Sequence, residues 1–230
     1  MTLTPLSPAP TQDEVRDAVH AVARQANVAS RALARANRAT KDAALHALAD
    51  ALVNSAESIL EANALDVARE REGGMSPGLL DRLTLTSDRI VSISQSLRDV
   101  AGLPDPVGEI VRGSTLPNGL RVRQTRVPLG VVGVIYEARP NVTVDVAGLA
   151  LKSGNAVILR GGSAAGETNT AIVTVLQEAL VNQGSWSRVS TPSVAPAVLN
   201  SCVPVASLMW WFRAVARVSS ALWWPNHGYP

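Results

Sequence analysis

Two short segments of the sequence carry residue types that can bind a phosphate group. The segment Y-E-A-R-P-N (136–141) follows one apolar run. The segment R-G-G-S (160–163) begins with the last residue of a second apolar run. Glycine lets a backbone approach a phosphate closely, and an arginine side chain can bind a phosphate through two parallel hydrogen bonds. We therefore predict a nucleotide site, in which the arginine would suit an extra 2′-phosphate. The alternative is a tight glycine turn beside a solvated arginine.

The residues around these segments have the pattern of a βαβα unit. The apolar runs V-V-G-V-I (131–135) and A-V-I-L-R (156–160) predict buried parallel strands, and we expect Asn141 or Thr143 to cap the helix between them. A right-handed crossover places both strands in one parallel sheet, and ligands bind beyond the C-terminal ends of such strands. The predicted fold class is α/β, with residues 128–184 forming a partial nucleotide-binding domain.

Several common site patterns are missing from the sequence. Gly161 and Gly166 have the spacing of a phosphate-binding P-loop, but Glu167 stands where that loop needs a lysine. Neither apolar run is followed by G-x-G-x-x-G, the common dinucleotide fingerprint. The three histidines are scattered and form no metal-ligand cluster or Ser/His/Asp set: His20, His46 and His227. A P-loop ATPase, a metal enzyme and a serine hydrolase are therefore not predicted.

The first half of the chain is predicted to be helical. Thr11 and Glu14 form a T-x-x-E capping box, and apolar residues recur at helical spacing within residues 1–103. Residues 104–127 instead contain extended runs around Asn118-Gly119, which predicts a β-hairpin. Basic residues fall on both faces of this ribbon, so we expect an exposed edge and a contact between subunits.

The composition excludes several classes of protein. The 230 residues are 47% hydrophobic and 17% charged, so wholesale disorder is excluded, and no apolar run is long enough to span a bilayer. The first residues lack a secretory signal and Cys202 is the single cysteine, so we expect a cytoplasmic protein without internal disulfides. The net charge of +2 arises in the tail, because residues 1–184 carry 18 basic and 19 acidic side chains. We expect neither a nucleic-acid partner nor a membrane partner.

The stretch 126–169 resembles the gamma-glutamyl phosphate reductase family, the glutamate-5-semialdehyde dehydrogenases of the aldehyde dehydrogenase superfamily. The resemblance rests on Y-E-x-R-P-N-V-T followed by L-K-S-G-N-A-V-I-L-R-G-G-S, with D-R-L-x-L-T-x-x-R-I at 81–90 in support, and covers roughly residues 10–184. It implies an aldehyde-dehydrogenase-like fold, in which N-terminal helices lead into a parallel-sheet dinucleotide-binding domain without the usual glycine fingerprint. It also implies NADPH-dependent reduction of gamma-glutamyl phosphate to glutamate-5-semialdehyde and phosphate in L-proline biosynthesis, with a homo-oligomer as the intact enzyme.

The resemblance assigns roles to individual residues. Arg160, Gly161, Gly162 and Ser163 match the segment that lies against the adenosine ribose and phosphate of NADP(H). Asn141 matches an asparagine whose side-chain amide holds the oxyanion of a thioester, a task that needs a donor aimed at developing negative charge. The implied mechanism is acyl transfer from phosphate to a cysteine thiol, followed by hydride transfer from NADPH to the thioester.

Glu137 and Arg139 are further candidates, which by resemblance bind substrate or order their loop; a local salt bridge is the alternative. The family's nucleophile is a cysteine in a G-x-G-x-C-H segment, whereas Cys202 lies in L-N-S-C-V-P-V, without those glycines or the histidine. We therefore expect a truncated family member without reductase activity. Two alternatives stay open: another aldehyde dehydrogenase of the superfamily, and a non-catalytic nucleotide-binding or oligomerisation fragment.

Residues 185–230 differ in composition from the rest of the chain. They contain all five tryptophans but no lysine, aspartate or glutamate. In the neighbouring reading frame, the codons of Met209–Phe212 necessarily encode three valines, and permitted codons then allow Pro-Arg-Gly-Gly-Ala-Gly, which resembles the family's next strand and glycine-rich loop. We infer a frameshift between about Asn182 and Ser190; a genuine tryptophan-rich tail is the alternative.

We predict an insertion or deletion in the codons for residues 182–190. Sequencing the gene through this segment and beyond the codon for Pro230 checks the prediction. The expected result is that restoring the frame yields the family's sequence, including its G-x-G-x-C-H segment. An intact frame that no shift restores would contradict the hypothesis and leave the tail as genuine sequence.

Overall fold

The computed structural model describes residues 11–183 and the pair 197–198, so Cys202 and the five tryptophans lie outside the described residues. The helices are α1 (Gln12–Leu33), α2 (Arg38–Asn54), α3 (Ala56–Glu72), α4 (Pro77–Leu83), α5 (Ser87–Gly102), α6 (Pro140–Lys152) and α7 (Gly166–Asn182). The strands are β1 (Ile110–Thr115), β2 (Arg121–Thr125), β3 (Val131–Ile135), β4 (Ala156–Arg160) and β5 (Ala197–Val198), and a 3-10 turn covers Ser163–Ala165. Across the described ranges, no helix combines the length and the apolar character needed to cross a membrane.

Two local sequence signals give the structures that they predict. In the capping box of α1, the Thr11 hydroxyl accepts the N–H of Glu14, and the Glu14 carboxylate accepts the N–H of Thr11. β1 and β2 pair antiparallel around Asn118 and Gly119, and Gly119 has a φ of +82°, which glycine adopts without strain. Every residue of both strands is exposed, as the charge pattern of the ribbon predicts.

β3 and β4 form the parallel pair that the βαβα pattern predicts. Their register runs from Val131 opposite Ala156 to Ile135 opposite Arg160, so the C-terminal ends of both strands lie side by side. β4 is buried from Ala156 to Leu159, whereas β3 is only half-buried and its Ile135 is exposed. The prediction that β3 is buried is therefore wrong. β3 is less buried than β4 because, within the described residues, β4 has a strand on each side, whereas β3 pairs with β4 alone.

The start of α6 also differs from the prediction. Pro140 occupies its first position and Arg139 precedes it, so neither Asn141 nor Thr143 caps the helix. Proline fits the first position of a helix because its fixed φ suits the helix and its missing N–H would have had no partner there. Asn141 consequently lies within the first turn of α6, and no side chain caps this end.

One apolar core joins the helical half of the chain to the α/β half. Buried side chains from α1, α2, α5, α6, β4 and α7 belong to a single cluster, which includes Leu45, Leu97, Ile158 and Leu176. Gly148 allows α6 to approach α5 so closely that a Cβ at this position would lie 2.5 Å from Cδ2 of Leu97. Burial of each large apolar side chain stabilises the fold by about 1.5–3 kcal/mol. Removing either half would therefore expose the core of the other.

Two buried lysines form ion pairs close to this junction, and one of them, Lys152, joins the two halves. The ammonium of Lys41 in α2 lies 2.6 Å from Oδ2 of Asp105, which follows α5. Lys152, at the end of α6, donates to the Asp42 carboxylate and, over 2.7 Å, to the carbonyl oxygen of Ala101. A buried ammonium group is tolerated when it is paired and hydrogen-bonded. The contacts of Lys152 set the position of α6 against α2 and α5, and the Lys41 pair fixes α2 to the segment that follows α5.

We predict that Asp105→Asn destabilises the protein in a pH-dependent way. Burial tends to raise the pKa of Asp105, but hydrogen bonds from Lys41 and from the N–H of Val107 lower that pKa overall. The ionised carboxylate therefore contributes stability above the unfolded-state pKa of about 3.9, and this contribution is lost as the pH falls through the lowered native pKa. At pH 7 we expect the free energy of unfolding in urea to fall by about 3–5 kcal/mol, because Lys41 is left buried without its counter-ion.

Asp50→Asn is the matched control, because Asp50 is 64% exposed in its ion pair with Arg98. We expect this control to change the free energy of unfolding by less than about 1 kcal/mol. Equal losses for the two variants, or a deficit of the Asp105 variant that persists unchanged in strong acid, would contradict the assignment.

Candidate functional site

The loops that follow β3 and β4 lie against each other at the C-terminal edge of the sheet. The N–H of Tyr136 donates to the carbonyl oxygen of Arg160 over 3.1 Å. A Cβ on Gly162 would lie 3.3 Å from Cα of Glu137, so one backbone passes the other at close range. The structure thus brings together segments 136–141 and 160–163, as expected for two adjacent parallel strands.

Gly161 permits a second close approach, to the first turn of α7. A Cβ at this position would lie 2.3 Å from Nδ2 of Asn169, which is too close for any real side chain. Asn169 is 1% exposed, and its Nδ2 has no hydrogen-bond partner among the described residues. Glycine at both positions thus allows a close packing of the loops that a Cβ would disturb, whether or not a ligand is bound.

A buried chain of hydrogen bonds supports the two loops from below. Burial raises the pKa of the Tyr136 phenol, and its hydrogen bond with Thr143 offsets this only in part, so the hydroxyl stays protonated at neutral pH. Tyr136 donates to Oγ1 of Thr143 over 2.5 Å, and Thr143 donates to Oδ1 of Asn169 over 2.8 Å. Sequence reasoning placed Tyr136 in the candidate loop and Thr143 as a possible helix cap, but it missed the hydrogen bonds that join them to Asn169. The signal for Tyr136 was present, because it is the single aromatic residue before position 185.

The N-terminus of α7 is occupied by a carboxylate from α3. Asp66, which is fully buried, accepts hydrogen bonds from the N–H of Thr168 (2.8 Å), the hydroxyl of Thr168 (2.7 Å) and the N–H of Glu167 (3.3 Å). These groups are the donors that a helix N-terminus would offer to an anion. The first-turn amides of Glu167 and Thr168 are therefore not free for a phosphate, and any phosphate contact must come from the preceding loop.

Two further side chains of α3 extend this contact. Nη2 of Arg69 donates to Asp66 over 2.6 Å and to the carbonyl oxygens of Ser163 and Ala164 over 3.1 and 3.3 Å. Asn63, one turn before Asp66, joins the start of α7 to the turn between α4 and α5, through bonds to Thr168, Leu83 and Leu85. The spacing N-x-x-D-x-x-R puts the three side chains on one side of α3, which was visible in the sequence as a polar stripe.

Within residues 11–183, the four residues expected at the cofactor have hydrogen-bonding groups that no other described residue occupies. Arg160 is half-buried, and its Nε is buried without a hydrogen-bond partner among the described residues. The N–H groups of Gly161 and Gly162 donate to no other described residue, and Ser163 is exposed at the start of the 3-10 turn. An orphaned guanidinium nitrogen beside free amides fits a phosphate-bearing ligand.

Asn141 and Arg139 line an open cleft on the other side of the first loop. The cleft has a volume of about 370 Å³, and residues from the turn between α4 and α5 form its opposite wall. Glu137 is exposed and forms no ion pair with a described residue, so the local salt bridge considered for Glu137 and Arg139 is not present in this part of the chain. The Asn141 candidate thus belongs to a site of its own, next to the candidate cofactor loop.

Comparisons with known proteins bear on these sites. No family model matches the chain. The chain is 62% identical over 184 residues to gamma-glutamyl phosphate reductase from Kineococcus radiotolerans, an alignment that covers 80% of this chain and 42% of the relative. The crystal structure of gamma-glutamyl phosphate reductase from Thermotoga maritima is 42% identical, with a TM-score of 0.70 over 73% of this chain and 41% of the relative.

A more distant structure shows the breadth of the fold. A structure described as a probable aldehyde dehydrogenase from Listeria monocytogenes is 17% identical and has a TM-score of 0.63, with 86% of this chain and 40% of that chain covered. The aldehyde-dehydrogenase-like fold predicted from the sequence is therefore confirmed. The chain spans about two fifths of the length of the curated relative that it matches. On its identity and fold over this length, the chain belongs to the gamma-glutamyl phosphate reductase family.

Proposed function

We propose that the chain supplies the NADPH-binding and oxyanion elements of a cytoplasmic gamma-glutamyl phosphate reductase, which forms glutamate-5-semialdehyde and phosphate in L-proline biosynthesis. The observation that carries the proposal is the Arg160 guanidinium, whose buried Nε has no hydrogen-bond partner among the described residues. The next two residues, Gly161 and Gly162, have N–H groups that donate to no described residue. The name of the Thermotoga maritima relative supports the choice of reaction.

In this proposal each loop residue has a distinct task in binding NADPH. Arg160 pairs with the 2′-phosphate that distinguishes NADPH from NADH, because a guanidinium matches phosphate geometry with two parallel donors. Gly161 and Gly162 donate from their backbones, and Ser163 donates from its hydroxyl, to ribose or phosphate oxygens. When bound, NADPH supplies the hydride for the reduction.

Asn141 is proposed to stabilise negative charge on the reacting carbonyl oxygen. Its side-chain amide is an N–H donor within the first turn of α6, where the positive end of the helix dipole also favours an anion. Arg139 and Glu137 flank this position on the same loop, and we propose that they bind substrate or order the loop. These residues orient and stabilise the acyl group, and none of them is a nucleophile.

We expect binding without turnover from these 230 residues. Acyl transfer in the family needs a thiolate, and Cys202 lacks the family's G-x-G-x-C-H surroundings. The site is therefore tested by measuring the affinity of the chain for NADPH. The alternative of a non-catalytic nucleotide-binding fragment is consistent with this expectation.

A second proposed role is contact between copies of the chain through the β1–β2 ribbon. Val111, Leu116, Leu120 and Val122 are exposed large apolar residues on this two-stranded hairpin. An exposed apolar hairpin with unpaired strand edges is stabilised when another chain covers it or extends its sheet. This observation favours a homo-oligomer built through the ribbon.

We predict that the full chain binds NADPH more tightly than NADH and that Gly161→Ala weakens NADPH binding about tenfold, or about 1.4 kcal/mol. The added Cβ would meet the buried Asn169 side chain, whose Oδ1 is held by Thr143, so the loop carrying Arg160 or this hydrogen bond must shift. Titration followed by the fluorescence of the reduced nicotinamide measures both affinities.

Gly166→Ala is the matched control for this experiment. A Cβ at Gly166 meets nothing within 4 Å, and the backbone there is already helical, so NADPH affinity is expected to stay within about twofold of the wild-type value. A wild-type chain that folds but binds no NADPH, or an alanine at 161 without effect, would contradict the proposed site.

A further inference from the structure

The first turn of α6, which carries Asn141, is attached to its surroundings through a neighbouring residue, Thr143. No side chain caps this end of the helix, and Thr143 is fully buried. Within residues 11–183, the side-chain hydrogen bonds of this turn are the two that Thr143 forms, with Tyr136 and with Asn169. The position of the turn therefore depends on the hydroxyl of Thr143 as well as on apolar packing.

Position 143 uses a group that donates and accepts at the same time. The hydroxyl of Thr143 accepts from the phenol of Tyr136 over 2.5 Å and donates to Oδ1 of Asn169 over 2.8 Å. A hydroxyl can form both bonds, whereas a valine side chain of the same shape can form neither. The ring of Tyr136 packs separately, in an apolar cluster with Val157 and Leu159, so the ring does not need the hydroxyl to hold it.

The other end of this chain of hydrogen bonds lies against the candidate cofactor loop. A Cβ placed on Gly161 would lie 2.3 Å from Nδ2 of Asn169 and 3.3 Å from the hydroxyl oxygen of Tyr136. Within the described residues, the Asn169 side chain is hydrogen-bonded through its Oδ1 alone, because its buried Nδ2 has no partner there. A shift of Gly161 is therefore passed through Asn169 to Thr143, since close-packed interiors transmit small displacements.

The second contact between the two loops does not reach α6. A Cβ on Gly162 would meet the backbone of Glu137 and Ala138, which precede the helix. The hydrogen bonds of Thr143 are thus the side-chain route, among the described residues, from the loop that carries Arg160 to the turn that carries Asn141.

We propose that Thr143 is a positioning residue that couples the two candidate sites. When a nucleotide occupies the loop 160–163, the displacement of Gly161 moves the first turn of α6 and sets the position of the Asn141 amide. This inference rests on the proposed function, and it adds that cofactor binding prepares the oxyanion site. Tyr136 and Asn169 are positioning residues in the same sense.

The first test compares the NADPH affinities of full-chain variants by the fluorescence of the reduced nicotinamide. Thr143→Val is expected to weaken NADPH binding about fivefold, or about 1 kcal/mol, because two hydrogen bonds that hold the loop are lost. Thr143→Ser keeps the hydroxyl and is expected to keep the affinity. Val144→Ala is the matched control, because Val144 is buried in the core beside Thr143 and takes no part in the hydrogen bonds. It is expected to lower stability without changing the NADPH affinity.

The second test follows the side-chain amide of Asn141 by NMR while adenosine 2′,5′-bisphosphate is added to the ¹⁵N-labelled full chain. This probe carries the 2′-phosphate but no nicotinamide, so a change at Asn141 cannot come from a nicotinamide contact. We expect the Asn141 resonance to shift in the wild-type chain and in Thr143→Ser, and to shift much less in Thr143→Val. Tyr136→Phe removes the phenol hydroxyl and keeps the ring in its apolar cluster, so it is expected to reduce the shift as well. It replaces Thr143→Val if that variant does not fold.

The outcomes separate this inference from the proposed function. A wild-type chain that binds the probe without a shift at Asn141, or a shift that persists in Thr143→Val and Tyr136→Phe, would overturn the coupling alone. Equal losses of NADPH affinity in Thr143→Val, Thr143→Ser and Val144→Ala would also overturn it, since the affinity would then follow stability. A folded wild-type chain that binds neither NADPH nor the probe would overturn the proposed function and the inference built on it.

Discussion

The carboxylate of Asp66 is the interaction on which both candidate sites depend. A carboxylate removed from water is costly unless donors surround it, and Asp66 is fully buried with donors from Glu167, Thr168 and Arg69. These donors come from the start of α7 and from α3 itself. The buried charge consequently fixes the end of the cofactor loop to the helical half of the protein.

The same side of α3 reaches the second site. Asn63 binds Thr168 at the start of α7 and the backbone on both sides of Thr84, directly after α4. One turn of α3 thus contacts both the start of α7, which follows the candidate cofactor loop, and the α4–α5 turn, which lines the cleft beside Asn141. Because both supports share one rigid helix, the distance between the two sites is set by α3 and not by the loops themselves. The hydride transfer in the proposed function needs such a fixed separation.

The glycines allow the two loops to pack closely, but they do not make the loops rigid. Gly161 lies against Asn169 and Gly162 lies against the backbone at Glu137, so each removes a side chain that would separate the loops. The rigid parts are the Tyr136–Thr143–Asn169 hydrogen bonds below the loops and Asp66 beside them. Arg160, whose Nε has no partner in the part of the chain that the structure describes, ends the strand that leads into these contacts.

Sequence patterns predicted the elements better than their contacts. The parallel strands, the hairpin at Asn118-Gly119 and the meeting of the two loops follow from local periodicity and turn chemistry, which act over a few residues. The cap of α7 could not be predicted from such local patterns, because Asp66 and Thr168 are 102 positions apart. The half-burial of β3 was missed for a similar reason, since burial depends on which strands flank it in space. The cleft beside Asn141 was missed because its lining comes from α4 and α5 and from the start of α6, which are far apart in sequence.

The most direct test of the account is amide hydrogen exchange in the full chain, with the N–H of Thr168 compared with that of Asn141. Both amides lie in the first turn of a helix, but a buried carboxylate accepts from Thr168, whereas no side chain caps the helix that contains Asn141. The account predicts that Thr168 exchanges at least about tenfold more slowly than Asn141, corresponding to about 1.4 kcal/mol of added protection. Equal exchange at the two positions would contradict the claim that Asp66 fixes the candidate site to the helical half.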